Sequence, residues 1–118
     1  MKICEIKLKL PSLNEYVDAC RANRHAGAKM KRETEEAISY FLVGLPRFEK
    51  PVHITFVWYE KNERRDCDNI AFAKKFILDA LVKCGKLADD SRKYVTGFAD
   101  EFVTGPEYKV VLEIKERK

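Results

Sequence analysis

The chain has 118 residues, 46% of them hydrophobic and 11% aromatic, which suits one packed domain and is too short for two ordinary ones. This composition excludes a disordered chain, and no apolar run approaches the ~20 residues that a membrane span needs. The net charge of +4 is modest, so the placement of the charges says more than their sum.

The opening "MKICEIKLKL" alternates apolar Cys4, Ile6, Leu8 and Leu10 with charged residues, the pattern of a half-buried strand. It also lacks the apolar stretch of a secretory signal, so a cytoplasmic protein is expected. Pro11 ends the strand. Ser12 and Glu15 then have capping-box spacing, and "SLNEYVDACRA" is expected to open a helix. A longer helix follows, with Met30, Thr34, Ala37, Ile38, Phe41 and Leu42 on one face and Gly44 and Pro46 as stop signals.

"VHITFVWYE" is expected to be a central strand, because both of its alternating sets contain apolar residues. Ile70, Ala73, Ile77, Ala80 and Leu81 then mark one helix that Gly85 ends. "KYVTGFADEF" reads as a third strand interrupted by Gly97, and "EYKVVLEIK" as a fourth. This order predicts an α/β (α+β) fold: a single domain over residues 1–118, with a mixed four-stranded sheet packed against helices.

Cys4, Cys20, Cys67 and Cys84 show no CxxC spacing, and His25 stands apart from His53. A structural zinc site is therefore not expected, and the cysteines read as reduced thiols, mostly buried. Basic residues crowd one segment, as Arg21, Arg24, Lys29, Lys31 and Arg32, and Arg64 and Arg65 precede a pair of aspartates. Such clusters suit a polyanion, although solvated helix faces carry them too.

The stretch "RRDCDNIAFAKK" holds the chemistry. If Asp66 and Asp68 stand in an extended segment, their side chains project to the same side and converge on one hard cation such as Mg²⁺. The alternative is that one aspartate caps the following helix and the other is solvated. Asp89 and Asp90 follow that helix and return to the same edge of the sheet. Seven residues complete nearly two helical turns, so Lys75 is expected on the side of Asp68, with Lys74 displaced by about 100°. A bland reading pairs Lys75 with Asp79 at i,i+4. Acids, a lysine and flanking arginines together suit phosphoryl chemistry, with a metal polarising the phosphate and the lysine stabilising developing charge.

"RRDCDN", the helix with "KKFILDAL", and "LADDS" resemble the RusA family of Holliday-junction resolvases, and "PSLNEY" resembles that family's N-terminal motif. The likeness spans most of the chain, and its specificity lies in the combination of pieces. It implies a small α/β homodimer that binds four-way DNA junctions and nicks two strands symmetrically in recombination and repair, as in prophages. It implies Mg²⁺ as cofactor, with Mn²⁺ as a substitute, and no organic cofactor or membrane partner. Carried over residue by residue, it makes Asp66, Asp68 and Asp90 the metal-binding acids, with Asn69 completing the DxDN motif. Counting back from "LDAL" makes Lys75 the catalytic lysine. Counting forward from Asp68 lands on Phe72, so this chain carries about three extra residues there. Asn14 falls in the N-terminal motif, where helix capping is its other reading. Arg64, Arg65, Lys74, Lys29 and Arg32 are the expected contacts to the DNA backbone. Cys67 fills the variable position, and metal-assisted hydrolysis needs no thiol nucleophile. Three other readings stand beside this one: a flap or fork nuclease of the same fold, a DNA-binding module without activity, and an interaction protein with solvated charges. The three acids weigh against a plain binding module, because anionic side chains repel DNA unless a cation neutralises them.

Overall fold

Strand β1 (Lys2–Ile6) is shorter than its alternating sequence, because the backbone N–H of Leu8 donates to the Ile6 carbonyl and turns the chain out of the sheet. Leu10 still returns its side chain to the core. The computed structural model describes residues 1–117. Helix α1 (Leu13–Ala22) opens on the predicted capping box, in which Ser12 Oγ accepts from the Glu15 N–H and the Glu15 carboxylate accepts from the Ser12 N–H. Asn23 is fully extended, so α1 stops there, and its Oδ1 caps helix α2 (Arg24–Leu42) by accepting from the N–H groups of His25 and Ala26.

Strand β2 (Val52–Glu60) lies inside a sheet of order β1-β4-β2-β3. It pairs antiparallel with β4 (Lys109–Glu116) and parallel with β3 (Val95–Thr104), and β1 pairs antiparallel with β4. The sheet is therefore mixed, and one βαβ crossover links β2 to β3. Gly97 does not interrupt β3. It stands opposite His53 in the register, where a Cβ would come within 3.3 Å of the imidazole.

One face of the sheet carries the core. Ile6, Ile54, Phe56, Leu112 and Ile114 are fully buried against Ile38 and Leu42 of α2 and against Phe76, Ile77 and Leu81. The other face of β2 is only half covered at His53, Thr55 and Tyr59, so the strand is central by its neighbours rather than by layers on both sides.

The expected third helix is two helices, α3 (Cys67–Ala71) and α4 (Lys74–Lys83). Between them Ala73 N–H donates to Ile70 O and Lys75 N–H to Phe72 O, both i→i−3 bonds that tighten the turn. The Tyr16, Phe72 and Phe76 rings pack together at this junction, which seats the turn in the core rather than in solvent. Gly85 ends α4 as predicted, with φ of 74°. Its N–H reaches Val82 O while Lys86 N–H reaches Leu81 O, the paired bonds of a Schellman cap.

The cysteines depart from expectation. Cys4 is buried in β1, but Cys20, Cys67 and Cys84 are exposed as free thiols, each sitting on the solvent side or at the end of its helix. Among the described residues no helix is long and apolar enough to cross a membrane.

Candidate functional site

Glu60 ends β2 with the same parity as Val52, Ile54, Phe56 and Trp58, so strand alternation turns its carboxylate inward. It is buried, and Arg65 neutralises it with a two-pronged contact, Nε to Oε1 at 2.8 Å and Nη2 to Oε2 at 2.6 Å. Arg65 Nη1 also donates to the Leu10 carbonyl at 3.0 Å, tying the loop after β2 to the segment before α1. The Glu60 hydrogen bonds hold the guanidinium above its ordinary range against the opposing effect of burial. The expected role of Arg65 as a DNA contact thus meets a competing structural one. Arg65→Ala should cost about 2–3 kcal/mol by stranding the Glu60 charge, measured by chemical denaturation. A midpoint equal to that of the parent would show that the clamp contributes nothing.

The clamp delivers the chain to Asp66, the N-cap residue of α3, whose backbone is extended and whose side chain makes no capping bond. Asp68 lies in the first turn of α3, and its Oδ1 accepts from the N–H of Asn69 at 3.0 Å. The extended i, i+2 geometry predicted for the pair is therefore corrected: helical backbone begins between the two aspartates, so strand alternation does not align them. Both carboxylates sit at the helix N-terminus, where the backbone dipole favours negative charge. Asp66 lines a cleft of about 330 Å³ with Glu60, Glu63, Cys67 and Phe102.

Asn69 faces the other way. Its Oδ1 accepts the backbone N–H of Asn14 at 3.1 Å, which satisfies one of the free donors at the start of α1. Two segments 55 residues apart are thereby joined. Asn14 meets the DxDN segment through its main chain.

Among the described residues Lys75 makes no ion pair with Asp68. Its ammonium pairs with Asp79 at 3.1 Å and with Asp90 at 3.4 Å, in a second, shallower cleft that Lys31 and Lys83 also line. Helix phase does not carry from Asp68 to Lys75, because α3 ends at Ala71 and α4 begins at Lys74. Both the i,i+4 pair and the approach to "LADDS" are present. The Asp79 hydrogen bond is the main cause that raises the Lys75 pKa, with Asp90 adding to it, so this lysine is a fixed positive charge rather than a base. Asp89 is exposed beside it.

Lys74 enters a different pair, with Asp100 of β3 at 2.7 Å, and its ammonium stands over the Phe98 ring at 4.5 Å. Asp100 also accepts from the Trp58 indole N–H at 2.9 Å. Arg64 is exposed, with only its backbone N–H bonded, to Asn62 Oδ1. On α2, Arg32 is exposed and Lys29 makes a loose exposed pair with Glu33 at 3.8 Å.

By donor type, Asp66 and Asp68 suit one hard divalent cation. The geometry gathers less than the expected triad: among the described residues no group of three or more His, Cys, Asp or Glu side chains is placed to hold a metal ion. Asp90 pairs with Lys75 and lines a second cleft with it, while Asp66 lines the first. Sequence reasoning missed Glu60 and Asp100. Only Glu60 carried a readable signal, its parity on the buried face of β2. No protein-family model matches the chain, and no curated protein matches it.

Proposed function

We propose that this chain is a RusA-type endonuclease, a metal-dependent phosphodiesterase that nicks four-way DNA junctions as a homodimer in a bacterial or phage-infected cytoplasm. The observation that carries this reading is the hydrogen bond from Asn14 to Asn69, because it brings the N-terminal "PSLNEY" segment onto the DxDN segment from 55 residues away. The pairing of Lys75 with Asp90 adds the other two pieces of the resemblance, "KKFILDAL" and "LADDS". Asp66 and Asp68 are the carboxylates free to take Mg²⁺ or Mn²⁺, which when bound supplies Lewis-acid polarisation of the phosphodiester and an activated water. Lys75 provides fixed positive charge for the phosphorane-like transition state. Exposed Arg64, Lys29 and Arg32 are the basic side chains available to the DNA backbone. Strand β3, at the sheet edge with Phe98, Phe102 and Val103 exposed, offers surface for a second copy.

The test is cleavage of a synthetic four-way junction beside flap, fork and linear duplex controls, with Mg²⁺, with Mn²⁺ and with chelator. Paired symmetric nicks in the junction, appearing only with metal, are expected. Preferred cutting of flaps or forks would move the assignment to another branched-DNA nuclease. Tight junction binding with no cleavage under any metal would make the chain a binding module.

A further inference from the structure

Glu35 lies in the middle of α2 and is only 3% exposed, an unusual place for a carboxylate. Two ammonium groups neutralise it, Lys31 from the preceding turn of α2 and Lys83 from the end of α4. Lys31 does not stop there. Its Nζ also pairs with Asp79 Oδ2 at 2.8 Å, while the other oxygen of Asp79 takes Lys75 at 3.1 Å. Lys75 then reaches Asp90 at 3.4 Å. Charges of alternating sign thus run from a buried anchor on α2, across α4, to the loop carrying "LADDS".

Isolated surface ion pairs are worth little, and the rotamer entropy of a lysine side chain opposes any single placement. This chain of contacts differs because it begins at a buried group. Glu35 holds Lys31, Lys31 holds one oxygen of Asp79, and the Asp79 side chain is 17% exposed. The remaining oxygen of Asp79 is consequently presented to Lys75 in one orientation. Lys75 itself is 57% exposed, so its ion pairs are what can fix its ammonium.

We propose that Asp79, oriented by Lys31 and Glu35, is a positioning residue that holds the Lys75 ammonium beside Asp90 for reaction. The role in reaction rests on the endonuclease reading, whereas the ordering of Lys75 does not. Two measurements separate them. The first is the order parameter of the Lys75 side-chain nitrogen by NMR relaxation in the full-length protein without DNA. It should fall in Asp79→Asn and in Lys31→Met, and stay unchanged in Lys83→Met, which removes a Glu35 partner without touching Asp79. Asparagine keeps the shape of Asp79, and Lys31→Met leaves Glu35 paired with Lys83, so two independent variants report if one fails to fold.

The second is single-turnover junction cleavage at saturating enzyme. Asp79→Asn should slow it by about 10- to 100-fold with unchanged junction affinity, the scale of misplacing a reacting group by about an ångström. In a Lys75→Ala background the same substitution should add almost nothing, since both changes remove one function. A Lys75 nitrogen as ordered in Asp79→Asn as in the parent would overturn the proposal, as would rate losses that multiply in the double variant. A parent protein that cleaves no branched DNA would instead overturn the functional reading, and the order parameters would still decide whether the relay exists.

Discussion

Asp68→Asn should lower metal-dependent junction cleavage by about 10³-fold or more while leaving junction affinity equal or slightly higher. Among the described residues the Asp68 carboxylate has one hydrogen-bond partner, the Asn69 N–H, and asparagine keeps an oxygen able to accept that bond. The fold of α3 should therefore survive. What disappears is the negative charge that attracts a divalent cation, and losing the several kcal/mol that a metal supplies to charge development corresponds to a rate change of that size. DNA binding moves in the opposite direction, because one fewer anion faces the phosphates. Asp66→Asn should behave alike, since its side chain is not spent on capping. Single-turnover cleavage of an end-labelled junction, with gel-shift affinities in chelator, measures both quantities. Near-normal cleavage by both variants would remove the aspartates from the chemistry. Cys67→Ser, between them, should keep activity.

The second large effect concerns the two lysines. Lys75→Ala should reduce the cleavage rate by about 10²–10³-fold, the cost of deleting one preorganised electrostatic stabiliser, with much less change in junction affinity. Its neighbour should differ in kind. Lys74 is only 18% exposed, paired with Asp100 and placed over the Phe98 ring. Lys74→Ala should therefore cost about 1 kcal/mol of stability and leave cleavage within a few-fold of the parent. Denaturation midpoints and single-turnover rates for both variants decide the matter. A large rate loss confined to Lys74→Ala would transfer the catalytic role to that residue.

Features that depend on residues two to four positions apart were legible in the chain itself. Apolar residues in both alternating sets placed β2 inside the sheet, Ser12 and Glu15 announced the capping box, and Gly85 marked the end of α4. Cooperative backbone geometry explains this success, since a period of 2 or 3.6 residues is set by local dihedral angles wherever the segment lies. Glu60 shares the parity of the buried face of β2, a signal that gains meaning only with its partner Arg65.

The partners themselves were decided in three dimensions. Arg65 and Arg64 look equivalent in "RRDCDN", yet Arg65 folds back onto Glu60 and the Leu10 carbonyl while Arg64 stays exposed. Lys74 and Lys75 are adjacent, yet one turns to β3 and the other to the loop after α4. Asp66 and Asp90 line different clefts, and a two-residue turn beside the Tyr16, Phe72 and Phe76 rings separates α3 from α4. Helix phase carries information only along an unbroken helix, and long charged side chains choose partners by distance through space rather than along the chain. Which lysine pairs with Asp90 and which with Asp100 therefore follows from the three-dimensional placement of α4, β3 and the loop after α4.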